Sequence, residues 1–274
     1  MKIALALGSL ALVAGAAQAS IVNANGYRVD ARIFNDFAAS NLTINGTNYP
    51  TQSSGAISGL AGGVHFVEQF PQLTPGNFAN KHVAWFSEDN GATRTDAKVS
   101  ESFQLNFCVT MNAPAGSPRK EAGLEIHQNR PNHVPPYNDE GQLLIASDGE
   151  VALFGAVMPF TGFGNTTYTL GTTAAVQFTY YAPGDLGPMA AYRLIFTDAV
   201  TGVHDSGFKF WGVESDGING LTDAFLGFKD QNQRNPFIAD SIDLTYDCVT
   251  IVPAPGAAGL LGLGGLVAMR RRRA

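Results

Sequence analysis

Glu121 and Glu125 are the carboxylates whose spacing first invites an acid–base reading. Cleaving a glycosidic bond needs two carboxyl groups about 5–5.5 Å apart for retention, or about 6.5–9.5 Å for inversion. The two glutamates share one face of an alternating segment, but four residues at about 3.3 Å each separate them by roughly 13 Å. Asp148 and Glu150 flank Gly149, where aspartate is favoured for turn-local hydrogen bonding. The chain holds no tight Glu-x-Asp-x-x-Glu cluster, so a hydrolytic pair would need a partner from another strand. The five histidines are His65, His82, His127, His133 and His204. None sits in a His-x-Glu-x-x-His or Cys/His metal spacing, and no Gly-x-Ser-x-Gly elbow offers a serine nucleophile. The residues lean towards a body that is not an enzyme, with no catalytic residue assigned.

Binding chemistry has a better address. The segment from His127 to Glu140 carries Arg130, Pro131, Pro135, Pro136 and Tyr137, and joins two strand-like stretches that should form a hairpin. Long insertions of this kind in compact domains are often functional. Gly123, Glu125 and His127 share the face that leads into it. We expect a glycan site rimmed by Glu125, His127, Asn132, His133, Tyr137 and Asn138, with Tyr137 stacking on sugar and the asparagines bonding hydroxyls. The plainer alternative is a proline-stiffened surface loop.

Two acidic stretches are weaker candidates for calcium, the one cofactor the sequence suggests. One holds Glu214, Asp216 and Asn219 with Asp223; the other holds Glu88, Asp89 and Asn90 with Asp96. Neither has EF-hand spacing, so each reads first as a turn. Cys108 and Cys248 are the only cysteines, and an oxidising compartment would favour a disulfide between them. The alternation resists it. Phe103, Leu105, Phe107 and Val109 share a phase that excludes Cys108, whereas Ile242, Leu244 and Tyr246 share the phase of Cys248. A bridge therefore requires a place where the pleat relaxes.

These residues must be carried by strands. Val176, Phe178 and Tyr180 alternate with Gln177, Thr179 and Tyr181, and Leu124 and Ile126 alternate with Gly123, Glu125 and His127. Asn45-Gly46 and Asp148-Gly149 read as two-residue hairpin turns. The second turn would set Leu143, Ile145 and Phe154 on one face and Leu144, Val151 and Leu153 on the other. Tyr192–Thr197 and Ser206–Trp211 read as a further pair across Thr201-Gly202. The expected class is all-β, an antiparallel two-sheet β-sandwich spanning residues 20–251. Residues 20 to about 98 are expected to supply edge strands and loops. The order of segments from Val99 to Val249 resembles the concanavalin-like jelly roll of lectins, laminin-G-like modules and some glycan-active enzymes.

The two ends speak of destination. Lys2, the apolar run Ile3–Ala14 and the small-x-small site Ala17-Gln18-Ala19 read as a signal peptide over residues 1–19, with a helical apolar core. At the other end Val252-Pro253-Ala254-Pro255 precedes an uncharged run from Gly256 to Met269, then Arg270, Arg271, Arg272 and Arg273. As a helix that run spans roughly 21 Å, short of a bilayer core of about 30 Å, and Ile251 to Pro255 bring it near spanning length. Residues 252–274 resemble the PEP-CTERM sorting segment of Gram-negative bacteria, with Ala254 where the family has Glu. The resemblance implies export through the Sec translocon and a C-terminal transmembrane helix in an inner-membrane precursor. It further implies recognition by an exosortase and delivery to the periplasm, cell surface or extracellular matrix. Its association with exopolysaccharide producers implies a matrix role with polysaccharide as partner. Lys2 and the four tail arginines take five of the 17 basic residues, leaving 12 against 23 acidic ones, a formal charge of −11 on the body. So acidic a body excludes nucleic acid as a partner. The reading is an exported, non-enzymatic glycan-binding sandwich; a glycan-active enzyme or a purely structural matrix component on the same scaffold are the alternatives.

Overall fold

A computed structural model describes residues 20–71, 79–114, 118–128, 139–155, 158–212, 220–221, 223–233 and 240–254. After a 3-10 turn at Ile21–Asn23, the first part forms β1 (Gly26–Asn35), β2 (Asn41–Ile44), β3 (Thr47–Asn48), β4 (Ser53–Ser58), β5 (Val64–Phe70), β6 (Asn80–Ser87) and β7 (Asp96–Ala97). The middle forms β8 (Phe103–Asn112), β9 (Lys120–Gln128), β10 (Asp139–Ala146), β11 (Val151–Phe154) and β12 (Thr161–Gly164). The last part forms β13 (Thr173–Tyr181), β14 (Ala191–Asp198), β15 (Gly202–Asp205), β16 (Lys209–Phe210), β17 (Ala224–Asn232) and β18 (Asp240–Pro253).

The strands build two antiparallel sheets. The first runs β12-β11-β10-β9-β17-β6-β1-β4, with β7 added to β17; the second runs β15-β14-β13-β8-β18-β5-β2-β3, with β16 added to β14. Period-two alternation decides which face each strand buries. Leu124 and Ile126 of β9, Leu226 and Phe228 of β17, and Ala84 and Phe86 of β6 meet Phe107 and Val109 of β8 and Leu244 and Tyr246 of β18 in one core. Phe228 stacks on Tyr246 at 4.3 Å, and Phe86 and Phe107 pack edge-on against Phe228. Tyr246 also pins the sheets together, for its hydroxyl accepts from Gly123 N (2.6 Å) and donates to Lys229 O (2.5 Å). The all-β two-sheet sandwich is as the sequence led us to expect.

Three local expectations are corrected. Residues 20–98 do more than line the edges, because β5 and β6 each sit between two neighbours inside a sheet. The polar Asn80, Lys81 and His82 disguise β6, yet all three are buried. At Asp148-Gly149 the turn is longer than two residues: Gly149 N donates to Ala146 O, Ala146 N to Glu150 O, and Ile145 pairs with Val151. That one-residue slip turns Val151 and Leu153 to the same core as Leu143 and Ile145. Asn45-Gly46, by contrast, forms the expected turn with φ of 47° and 76°.

The third correction concerns Cys248. β18 buries Ile242, Leu244 and Tyr246, then exposes both Asp247 and Cys248 and buries Val249. A bulge between Asp247 and Thr250 resets the phase and turns Cys248 outward, to the face of Cys108. No bond joins the two cysteines in this structure. Residues 1–19, Pro255 and Arg270–Arg273 lie outside the described residues, whereas Val252 and Pro253 belong to β18 opposite Gln104 and Phe103. Ala254 follows them, its N–H donating to Ser102 O. Among the described residues no helix is long and apolar enough to cross a membrane.

Candidate functional site

The outer face of the first sheet carries a cavity of about 310 Å³. Its walls are Asp30, Ala31 and Ile33 from β1, Gln52, Ser53 and Ser54 at β4, Lys81 and Trp85 from β6, Glu125 and His127 from β9, and Arg94 from the loop before β7. Register explains the floor. Gly227 of β17 lies between Glu125 and Trp85, with each as a direct partner. Lacking a side chain, it leaves room between them; a Cβ there would meet Val83 Cγ1 and Ala84 O at 2.8 Å.

Across that floor Lys81 Nζ reaches Glu125 Oε1 at 2.5 Å, with both side chains almost wholly buried. Asp30 is the second hub. Its Oδ2 accepts from Trp85 Nε1 (2.9 Å) and from Arg94, while Oδ1 accepts from Ser54 Oγ (2.8 Å). The Arg94 guanidinium lies over the Trp85 ring at 4.8 Å and over Phe225 at 5.4 Å, and His127 meets Trp85 edge-on at 5.8 Å. The indole is thus held on several sides, and its N–H is aimed by Asp30. The arrangement interleaves donors and acceptors and neutralises each charge locally. Asp30 and Glu125 do share the cavity, but each is paired with a cationic side chain, Arg94 and Lys81 respectively.

Of the residues proposed from sequence, Glu125 and His127 come to this cavity. Asn132, His133, Tyr137 and Asn138 lie outside the described residues, though β9 and β10 form the hairpin expected on either side of them, with His127 opposite Asp139. Sequence reasoning missed Asp30, Lys81, Trp85 and Arg94. The alternation Lys81-Val83-Trp85 was a usable signal, masked by the polar start of β6.

The other candidates resolve differently. Glu121 is bound to Arg119 (3.1 Å) and accepts from Gln231 (3.0 Å). Asp148 and Glu150 hold Arg119 between them, at 3.0 and 2.5 Å. Asp89 accepts from Ser87 Oγ, Thr93 N and Thr93 Oγ, which close a turn and draw its carboxyl down to about 2. Asp96 pairs with Lys98 at 3.2 Å, as does Asp223 at 3.7 Å. Glu214, Asp216 and Asn219 lie outside the described residues. The turn reading suits Glu88–Asn90 better than a cation loop.

Between the sheets, behind the groove, lies a buried polar network. Glu68 accepts from Ser40 Oγ (2.6 Å), Asn80 Nδ2 (2.6 Å) and Asn232 Nδ2 (2.9 Å) and contacts His82 Nε2 at 3.2 Å. Burial alone would raise its carboxyl, but His82 and these hydrogen bonds outweigh that and hold it at about 2. Neighbouring Asp230 is fully buried, and burial pushes its carboxyl up to about 7. Glu68, His82 and Asp230 are close enough to suggest a metal cluster. The donor pattern argues against it: His82 Nδ1 accepts from Arg32 N at 2.8 Å, so Nε2 carries the ring proton and has no lone pair for an ion.

No protein-family model and no curated protein sequence matches this chain. Among solved structures it is similar to the marine PL7 alginate lyase AlyA1 from Zobellia galactanivorans, at 12% identity over 84% of this chain and 96% of that one, with a TM-score of 0.42. The PL-14 alginate lyase from Aplysia kurodai gives 8% identity over 70% and 83%, with a TM-score of 0.41. The lectin I-B4 from Griffonia simplicifolia gives 8% over 66% and 87%, with a TM-score of 0.38. These likenesses are distant, and the functional reading rests on the groove's own residues.

Proposed function

We propose that this is an exported surface or matrix protein whose sandwich binds a polysaccharide, without cleaving it, in the groove between Asp30 and Glu125. The observation that carries the binding reading is the lining itself. Gln52, Ser53, Ser54, Arg94, Lys81 and Glu125 converge on an indole edge, so donors and acceptors alternate over a few ångströms of rigid sheet. A sugar hydroxyl both donates and accepts, and such a surface answers it at each position. Apart from Gln52 and Arg94 the lining comes from strands, which lowers the ordering cost of binding. Export rests on the signal-like N-terminus and the sorting-like tail, with Sec and an exosortase as the machinery and the membrane as a way station.

The test is retention of the purified protein on a panel of polysaccharides, including the producer's own matrix, with and without chelator. Retention without released sugar, lost in Trp85→Ala, supports the binding reading. A second reading is a glycan-active enzyme, favoured by one fact: Asp30 and Glu125 reach the same cavity from strands far apart in sequence. Soluble sugar product, abolished by Glu125→Gln, would establish that reading instead.

A further inference from the structure

The outer face of the second sheet, opposite the groove, carries a cluster that the glycan reading does not use. β8 and β18 pair with Cys108 opposite Asp247, and the next partners are Asn106 and Thr250. Two steps on β8 therefore match three on β18, and the extra residue is a bulge. Cys248 occupies it with φ of 54°, a left-handed conformation that a non-glycine residue rarely adopts. In regular strand, neighbours point to opposite faces. Here Asp247 and Cys248 are both exposed, beside Cys108. The two Sγ atoms and a carboxylate oxygen of Asp247 all lie within 4.8 Å of one another.

We propose that Cys108, Cys248 and Asp247 form a binding site for a thiophilic divalent cation of the zinc type, with solvent completing the coordination. Zinc takes sulfur at about 2.3 Å and carboxylate oxygen at about 2.0–2.2 Å in tetrahedral geometry, so the donors of one site stand roughly 3.3–3.8 Å apart. Donors at most 4.8 Å apart need to close by no more than about 1–1.5 Å to reach that spacing. Two sulfurs and a carboxylate oxygen on one surface patch are a donor set that a zinc-type cation takes. The cation displaces two thiol protons to solvent and leaves two thiolates and one carboxylate around a doubly charged ion. A disulfide draws nothing from Asp247, whereas a cation uses all three groups.

The test uses the full chain, reduced with a phosphine and titrated with Co2+ and then Zn2+. We expect a thiolate-to-cobalt charge-transfer band saturating at one equivalent, displaced by Zn2+. Affinity should fall more than about tenfold in each of Cys108→Ser, Cys248→Ser and Asp247→Asn, with circular dichroism unchanged. It should also weaken steeply as pH falls, because protons compete for the thiolates. Absence of the band in reduced wild type, or its persistence in Cys248→Ser, would overturn the proposal. So would a chain that isolates with a Cys108–Cys248 bridge and takes up no metal once reduced.

Discussion

Asp30 organises the groove because one partly buried carboxylate aims an indole N–H, a guanidinium and a hydroxyl at once. Asp30→Asn keeps the shape and removes the charge. Hydrogen bonds to charged groups contribute about 1.5–3 kcal/mol, so urea unfolding should show a loss of that order, and polysaccharide retention should drop with it as Arg94 and Trp85 lose their fixed orientation. Unchanged retention would detach Asp30 from binding. The Lys81–Glu125 pair allows a stricter check. Lys81→Met leaves Glu125 as a buried charge without its cation, which costs about 3–5 kcal/mol, whereas adding Glu125→Leu should restore most of that loss. Additive losses in the double variant would show that the pair is not coupled.

At the scale of strands, the sheet contact through Gly123 is the most exposed to substitution. Gly123 has φ of 128°, and a Cβ would stand 1.9 Å from Leu143 O. Gly123→Ala should lower the melting temperature sharply, since backbone strain of this kind costs about 1–3 kcal/mol before the clash is counted. Tyr246→Phe removes the hydroxyl that receives the Gly123 N–H, at an expected cost of about 1–3 kcal/mol. Strand existence was legible wherever apolar residues alternated, as in β8, β9 and β13, and so were the faces of Glu125 and His127. Three features were not. β6 opens with Asn80, Lys81 and His82, polar residues buried because Glu68 and Glu125 receive them, and no local pattern announces partners so distant in sequence. The Asp148-Gly149 turn and the Cys248 bulge each insert one residue, and a single residue inverts every face beyond it. The groove was half visible for the same reason: β9 announced its share, while β1, β6 and Arg94 reach it only through the order of strands in the sheet.

For the molecule as a whole, two buried carboxylates with opposite shifts set the pH response. Glu68, held at about 2, contributes stability above its unfolded value near 4.5 that is lost as pH falls through about 2. Asp230, raised from 3.8 to about 7, penalises the folded state fully above pH 7, and the penalty fades as pH falls from about 7 towards 4. Stability should therefore rise on acidification from pH 8 to about 4.5 and collapse near 2. Asp230→Asn should flatten the upper limb in a melting series, and a wild-type curve flat from pH 8 to 5 would contradict this. The export proposed above, argued from the signal-like start and the arginine-terminated tail, would place the acidic body outside the membrane. What it does there turns on the groove. The most direct measurement is retention of wild type and Trp85→Ala on the producer's exopolysaccharide, with the eluate assayed for released sugar. The account predicts retention of wild type, loss in the variant and no sugar in either. Equal retention of the two proteins, or sugar released by wild type, would contradict it.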